Sequence, residues 1–393
     1  MLFPPIDPNE RFRSRRSAAR RRKRLRRGAL IAALLVAVAL LGVGAQFVGG
    51  ATESRRVETG LDTAATTATA SGLRPLPVEI RGIHVTMGLA SLPDKLEQYL
   101  ELERNGLTAL ELDVKDEHGQ IGFTPRSVPL ALEVGAARDF YASRAAARLV
   151  HEHGVYLIGR VVVFEDPILA TARPDLAVQR RGRSVWRDAA GLAWANPYDR
   201  RVWDYNVDIA VAAARAGFDE ILFDYARFPS DGDVENALYP GSDSLAMRDV
   251  IPSFLRYAAR RLEPFGVRVS AAVFGLSATR DLGIGQVPRR MAPFLDAVYP
   301  MTYPSLFGAG ELGLADPSAT PGATVSQALR HFRRALRGRE VPLVPWVQDF
   351  TLLRPFGIDE VRAQIDAARL AGAKGYMLWN PEGIYTEGAL SAP

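Results

Sequence analysis

The stretch GFDEILFDYARFPSDG, residues 217–232, carries the pattern from which the fold is predicted. A glycine ends a helical segment, an apolar run follows, and the run stops at Asp224 before Pro229 breaks the chain. Glycine takes the left-handed conformation at a helix end without a steric penalty. A short apolar run bounded by Gly and Pro indicates a buried strand. The stretch therefore predicts a helix, a turn and a strand that ends in a carboxylate.

The same unit recurs along the chain. Eight apolar runs predict strands at 82–87, 107–114, 155–164, 218–226, 267–275, 295–303, 341–350 and 373–380. Helical patterns lie between them at 93–104, 139–152, 200–215, 243–264, 287–294, 322–337 and 358–371. Apolar strands that alternate with helices predict a parallel sheet covered by helices. Eight units favour a closed (β/α)8 TIM barrel over residues 80–387, with a doubly wound open sheet as the alternative.

The connections predict where a site lies. Helix-to-strand turns are short, and they contain Gly106, Gly154, Gly217, Gly266 and Gly372. Strand-to-helix loops are long, at 115–138, 165–199, 227–242 and 304–321. Because barrel enzymes build their sites from these loops, we expect the site at the carboxyl ends of the strands.

The positive charge of the chain is concentrated at its N-terminus. Residues 1–27 carry ten arginines and Lys23 against Asp7 and Glu10, a net of +9 in a chain of net +5. The remaining residues therefore carry −4, and no nucleic-acid partner is predicted for the main domain.

An apolar segment follows this basic arm. Gly28–Val48 has 21 residues and no charge, and about 20 apolar residues span a bilayer as a helix. Because cationic flanks stay cytoplasmic, we predict a signal-anchor at 28–48, a cytoplasmic arm and an extracytoplasmic barrel. A cleaved signal peptide with secretion is the alternative, since small residues lie near Gly44. Residues 49–79 are rich in Ala, Thr and Gly, which predicts a flexible linker.

Several kinds of chemistry lack support in the sequence. The chain has no cysteine, which excludes disulfides, thiolate metal sites and Cys nucleophiles. The run GAGELG, 308–313, matches a dinucleotide fingerprint by letters, but no helix opens at its last glycine. The run HEH, 151–153, ends a predicted helix, where His favourably meets the helix dipole. No cofactor and no metal are predicted, and the oligomeric state is left open.

Polar and aromatic residues collect at the predicted strand ends, a mixture suited to sugars. Hydrolysis of a glycoside usually needs two carboxyl groups. Asp224 is the predicted first one, and Asp349 or Glu165 the second, with Asp349 favoured. The predicted sugar-binding residues are Asp113, Arg160, Arg227, Tyr303, Gln348 and Trp379. A structural ion pair of Asp224 with Arg160 or Arg227 is the alternative, and Asp116 and Asp166 are predicted loop caps.

The region from Arg81 to Tyr385 resembles a glycoside hydrolase family of bacterial (β/α)8 proteins once catalogued as a domain of unknown function. The matching runs are ELDVKDEHG, RVVVFEDPILATARPDLAV, WRDAAGLAWANPYDRRVWDYN, GFDEILFDYARFPSDG, VSAAVFGL, GIGQ, YPMTYPS, PWVQDF and GYMLWNP. The resemblance implies an exported barrel that acts on a polysaccharide. Ala272 stands where family members commonly have Asp, and Leu306 where many have His. Ala272 favours the alternative, a non-catalytic carbohydrate-binding or cell-envelope scaffold protein.

Overall fold

The eight strands close into a parallel barrel in sequence order. The structure is a computed structural model that describes residues 73–242, 245–352 and 354–391. The strands are β1 Ile80–Val85, β2 Ala109–Lys115, β3 Tyr156–Val162, β4 Glu220–Asp224, β5 Arg268–Phe274, β6 Ala297–Met301, β7 Trp346–Gln348 and β8 Gly375–Trp379. This order confirms the predicted (β/α)8 barrel and excludes the open sheet. The carboxyl ends of the strands are called the mouth below.

Helices surround the barrel. In the described residues they are α1 Met87–Ala90, α2 Lys95–Leu100, α3 Pro129–Glu133, α4 Ser143–Glu152, α5 Pro167–Ala172, α6 Arg200–Ala216, α7 Met247–Leu262, α8 Pro288–Met291, α9 Pro321–Ala335 and α10 Ile358–Leu370. Each predicted helical region overlaps one of α2, α4 and α6–α10. The short helices α1, α3 and α5 lie in strand-to-helix connections, where no helix was predicted.

Prolines shorten the seventh strand. The apolar run predicts a strand over 341–350, whereas β7 comprises Trp346–Gln348. Pro342 and Pro345 lie just before β7, and a proline has no N–H to donate to a neighbouring strand. The apolar pattern therefore locates this strand but overstates its length.

Alternation along each strand separates the barrel interior from the layer beneath the helices. On β2, Leu110 and Leu112 belong to the large cluster packed under the helices, and Ala109 belongs to the cluster inside the barrel. Successive side chains of a strand point to opposite faces. Glu111 and Asp113 therefore share the interior face with Ala109, and Asp113 lies nearest the mouth.

Two glycines serve the close turns and contacts of the barrel. Gly217 ends α6 in the left-handed conformation, with φ of 108°, as its place before a strand predicts. A Cβ atom on Gly375 would lie 2.0 Å from the carbonyl oxygen of Ile80. Glycine thus allows β8 to approach β1, the pair that closes the barrel.

The predicted arm 1–27, the predicted anchor 28–48 and most of the predicted linker 49–79 lie outside the described residues. Within 73–391, as far as the structure describes it, no helix has the length and apolar character needed to span a bilayer. The described chain begins at the amino ends of the strands. There Lys374 Nζ donates to the Val78 carbonyl at 3.0 Å, and Leu76 packs against the interior cluster.

Candidate active site

Three predicted residues meet at the mouth on adjacent strands. Arg160 donates to Asp224 Oδ2 from Nε at 2.9 Å, and its Nη2 lies 2.8 Å from the same oxygen. Its Nη1 donates to Asp113 Oδ1 at 2.8 Å. All three side chains are buried. The parallel register, which places Asp113 opposite Arg160 and Val162 opposite Asp224, brings them together.

The charges of this cluster stabilise one another. Burial alone would raise the pKa of Asp113, but His84 and Arg160 outweigh it and lower the value to about 2. Burial also opposes the charge of Arg160, yet the carboxylates of Asp113 and Asp224 raise its pKa. Arg160 therefore holds two carboxylates in a fixed arrangement through charge-assisted hydrogen bonds.

The backbone next to Asp224 adopts an uncommon conformation. Tyr225 has φ of 50°, in the left-handed region that non-glycine residues rarely occupy. Its N–H donates to Asp224 Oδ1 at 2.7 Å, so both carboxylate oxygens are bound. Such backbone conformations tend to occur at functional sites, and this one fixes the orientation of Asp224.

Glu165 lies beyond the end of β3, on the same side of the mouth. It is 6% exposed, and burial raises its pKa to about 8, an effect that Arg227 reduces and that Asp188, Glu117 and Asp224 increase. At neutral pH Glu165 is therefore mainly a carboxylic acid with a proton to donate. This is the state that a general acid requires.

Arg227 is held among aromatic rings. Its guanidinium lies 4.9, 4.6 and 4.7 Å from the ring centroids of Trp194, Tyr225 and Phe274. It also donates to the Phe228 carbonyl at 3.1 Å. Cation–π contacts of this kind fix a guanidinium that is partly removed from water, so the charge stays near Glu165.

Aromatic rings line the opposite part of the mouth. Trp379 stacks with His84 and with Trp346, at centroid distances of 4.2 and 4.8 Å. His84 Nε2 lies 3.0 Å from Asp113 Oδ1, so the ring stack is joined to the charged cluster. Trp379 is half-buried and presents the most accessible ring of the three.

The polar groups at the end of β7 are bound within the chain. Asp349 accepts from the Thr386 N–H at Oδ2 and from Thr386 Oγ1 at Oδ1, both at 2.7 Å. Burial raises the Asp349 pKa, and the Thr386 bonds work against this rise. Gln348 accepts from the Ser305 N–H and donates to Ser305 Oγ and the Phe350 carbonyl. These contacts tie β7 to neighbouring segments, and the predicted roles of both residues stay predictions.

Two interior side chains lie close to the charged cluster. Neither carboxylate oxygen of Glu111 has a hydrogen-bond partner among the described residues, and Oε1 lies 4.0 Å from His84 Nε2. Burial raises the pKa of Glu111 well above its usual value. The Tyr303 hydroxyl has no partner within the same described part, and its pKa is raised by burial and then by Asp224 and Glu111.

Glu111 is absent from the predicted site residues. The sequence does contain a signal for it, namely an acid two residues before Asp113 in a strand of mainly apolar residues. Such spacing places both acids on one face of β2, so the run ELD predicts a second acid below the first.

The predicted loop caps are confirmed. Asp166 accepts from the Leu169 N–H at 2.9 Å and lies 2.6 Å from Lys115 Nζ. Asp116 accepts from the N–H groups of His118 and Gln120. Both carboxylates therefore organise loops beside the mouth.

The His-rich run at the end of α4 has carboxylate partners. His151 Nε2 lies 3.0 Å from Asp219, and His153 Nδ1 lies 3.1 Å from Glu103. In the part of the chain that the structure describes, no group of three His, Asp or Glu side chains has an arrangement that could hold a metal ion.

The two positions that differ from the resembling family lie in different environments. Ala272 is fully buried in the interior cluster, opposite Tyr299 of β6. Leu306 is 62% exposed after β6. A methyl group at 272 has no acid–base capacity, so β5 supplies no carboxyl group to the barrel interior at this position.

Comparison with known proteins places the chain in a family. Residues 82–385 match the model of the family described as "Putative glycosyl hydrolase domain". No curated protein matches the chain. A crystal structure of a hypothetical protein from Ruminiclostridium thermocellum is 32% identical over 48% of this chain and 96% of that one, with a TM-score of 0.44.

Two further solved structures share the barrel at low identity. The PgaB (BpsB) glycoside hydrolase domain from Bordetella bronchiseptica is 16% identical, with a TM-score of 0.60 over 81% of this chain and 100% of that one. A chitobiase from Flavobacterium johnsoniae is 10% identical, with a TM-score of 0.50 over 79% of this chain and 47% of that one. At these identities the similarity is one of fold.

Proposed function

Because this chain belongs to the glycosyl hydrolase family whose model matches residues 82–385, we propose that it hydrolyses glycosidic bonds of a polysaccharide. One observation carries the proposal: two carboxyl groups on the same side of the mouth have opposite environments. Arg160 binds Asp224 through two N–H groups, while burial raises the pKa of Glu165 to about 8. A buried acid that keeps its proton, next to a carboxylate held by an arginine, supplies the acid and the carboxylate that the reaction needs.

The proposed roles follow from these environments. Glu165 donates its proton to the glycosidic oxygen as the bond from that oxygen to the anomeric carbon breaks. The Asp224 carboxylate stabilises the positive charge that develops on the sugar ring. Water adds its hydroxyl group to the anomeric carbon, and the proton that it releases returns to Glu165 and restores the acid. Tyr225 and Arg160 act as positioning residues, since they bind the two oxygens of Asp224.

The remaining groups of the mouth suit a sugar ring. Trp379 is the half-buried ring of its stack with His84 and Trp346, and its exposed part would contact the apolar surface of a sugar. Tyr303, Asp113 and Arg227 lie around the acids and would bind hydroxyl groups. These three residues stay in the sugar-binding set that the sequence predicts. The side-chain amide of Gln348, by contrast, already makes hydrogen bonds to Ser305.

A membrane-anchored, extracytoplasmic location belongs to the same proposal. It is supported by the uncharged segment 28–48 after a basic arm. Protease treatment of intact cells and of inverted membrane vesicles would test it. We expect the barrel to be cleaved only from the outer side, and cleavage only in inverted vesicles would refute this orientation.

The enzymatic proposal is tested on the full chain with a panel of cell-wall and exopolysaccharide preparations, by the release of reducing ends. We expect release by the wild type, loss in Asp224→Asn, and retention in Asp349→Asn, which removes a charge from the other side of the mouth. Glycan binding without release by any of the three proteins would instead support a scaffold protein, the alternative that Ala272 favours.

A further inference from the structure

Arginines cluster on the outer surface of the barrel, from the end opposite the mouth to the side formed by α7 and α8. Two adjoining depressions of about 470 and 460 Å³ lie at the turn from α9 to β7 and between α7 and α8. The exposed arginines that line them are Arg256, Arg289, Arg290, Arg333, Arg337 and Arg339. These six residues are called the basic surface. Arg339 lines both depressions, and Arg289 Nη1 donates to the Arg337 carbonyl at 2.7 Å, so the surface is continuous.

The charge of the basic surface is largely uncompensated. Among the described residues, its single ion pair joins Arg290 to Asp249, which is also the one acid lining the depressions. The rest of the domain is mildly acidic, so the surface is a local excess of cations. Crowded cations repel one another, and an extended anionic partner relieves that repulsion.

The position of the basic surface points to one partner. Lys374 lines the first depression and also donates to the Val78 carbonyl at 3.0 Å. Residues 73–79 are therefore beside the surface, and they are the segment through which the chain arrives from the uncharged stretch 28–48. The linker predicted from the sequence at 49–79 would have a root-mean-square span of about 30 Å. The membrane that holds the anchor would thus be within reach of this end of the barrel.

We propose that the basic surface docks the barrel on anionic lipid headgroups of the membrane that holds the anchor, which turns the mouth away from the bilayer. The inference rests on the proposed membrane anchorage. Attraction to an anionic leaflet acts only within about a Debye length, ~10 Å, so it needs cations on the face that meets the membrane. An anionic polysaccharide is the less favoured partner, since the proposed glycan site lies at the opposite end.

Labels at two ends of the barrel test this orientation. The chain has no cysteine, so one introduced cysteine gives one fluorophore. Leu370→Cys labels the end of α10 near the basic surface, and Leu306→Cys labels the mouth; these leucines are 90% and 62% exposed. The full chain is reconstituted in vesicles of phosphatidylcholine alone or mixed with phosphatidylglycerol, with an energy acceptor on the headgroups.

We expect phosphatidylglycerol to raise energy transfer from the Leu370→Cys label about twofold, and added salt to reverse the rise. Transfer from the Leu306→Cys label should stay low in both lipids. Equal transfer from the two labels, or transfer that does not respond to lipid charge, would overturn the proposal.

A charge-matched pair of variants identifies the surface. Arg289→Gln, Arg337→Gln and Arg339→Gln together should abolish the response to phosphatidylglycerol. The control is Arg126→Gln, Arg180→Gln and Arg181→Gln, which removes the same charge from exposed loop positions at the mouth end. Circular dichroism checks that both proteins are folded, and equal loss in both would refute a specific surface.

Two further outcomes are distinguishable. Vesicles of pure phosphatidylcholine test the anchor alone, because a chain that fails to float with them has no membrane anchor. If such a chain still responds to phosphatidylglycerol and the response depends on the arginines, binding of anionic lipid by the basic surface would still be supported. Retention of the wild type on an acidic polysaccharide, lost in the first triple variant, together with no response to lipid charge, would assign the surface to a glycan and overturn the lipid proposal.

Discussion

The β3–β4 side of the mouth and the β7–β8 side both carry acidic and polar groups at strand ends, but those groups bind different partners. On the first side Asp224 is bound by Arg160 and by the Tyr225 N–H, and Glu165 has a pKa raised to about 8. On the second side both oxygens of Asp349 are bound by Thr386, in the segment that follows β8.

The difference shows that position at a strand end does not define the role of an acid. Asp349 joins β7 to the C-terminal segment, and removal of its charge should mainly affect that connection. On the β3–β4 side Glu165 has a raised pKa and Asp224 is bound by Arg160, and removal of either acid should mainly affect chemistry. Substitutions on the two sides can therefore support or refute the comparison.

The largest effect is expected for Asp224→Asn. It removes the carboxylate that we propose stabilises the developing charge, whereas Arg160 keeps its bond to Asp113. We expect turnover to fall about 10³–10⁴-fold, with the near-ultraviolet circular dichroism spectrum retained. Initial rates of reducing-end release measure the change, and an unchanged rate would remove Asp224 from the mechanism.

A smaller loss, about 10²–10³-fold, is expected for Glu165→Gln, because water can partly replace a general acid. For the wild type, kcat/KM should be level below the Glu165 pKa of about 8 and fall as the pH rises through it, since the ionised form has no proton to donate. This basic limb should be missing in the variant. A limb that survives unchanged would assign the pKa to another group.

Asp349→Asn should change stability rather than rate. An amide cannot accept two hydrogen bonds from Thr386 as the carboxylate does, and a charged hydrogen bond contributes about 1–3 kcal/mol. We expect the free energy of unfolding to fall by about that amount in denaturant titrations, with kcat close to the wild-type value. A large loss of kcat at unchanged stability would place Asp349 in the chemistry and reverse the comparison.

The smallest effect is expected for Glu111→Gln. Burial raises the folded-state pKa of Glu111 well above 4.5, so the folded protein favours the neutral acid that glutamine mimics. In the wild type, the contribution of protonated Glu111 to the free energy of unfolding is fully present below about pH 4.5. It is lost as the pH rises toward the folded-state pKa. The melting temperature of the variant should therefore match the wild type at pH 4 and exceed it increasingly at higher pH. A constant difference across this window would contradict the raised pKa.

The sequence predicted the order and type of the elements well where the pattern is local. The run before Asp224 predicts β4, and Gly217 predicts the end of α6, because burial and the left-handed turn are properties of adjacent residues. It predicted boundaries less well where backbone hydrogen bonding intervenes. The prolines before β7 limit that strand to three residues, although the side chains of the run are apolar.

For the site, parallel strands align their carboxyl ends, and Asp113, Arg160 and Asp224 form ion pairs there. The Asp224–Arg160 pair is the contact expected from the structural alternative, and the roles of these residues stay predictions. The sequence favoured Asp349 over Glu165 as the second acid, and this choice stays a prediction that the substitutions above will test. The partner of Asp349 is Thr386, which is separated from it by all of α10 and β8. No pattern around either residue indicates that contact.

By itself the sequence determined the barrel, the rim at which the acids gather and the uncharged segment that precedes the domain. These properties follow from periodicity, apolar runs and glycines, which act between neighbouring residues. Only the tertiary structure decided which acid is bound by Arg160, which is buried beside Arg227 and which is bound by Thr386. It also decided that six arginines from separate elements form one surface. Proton affinity and surface charge depend on distances through space, and these exist only once the barrel has closed.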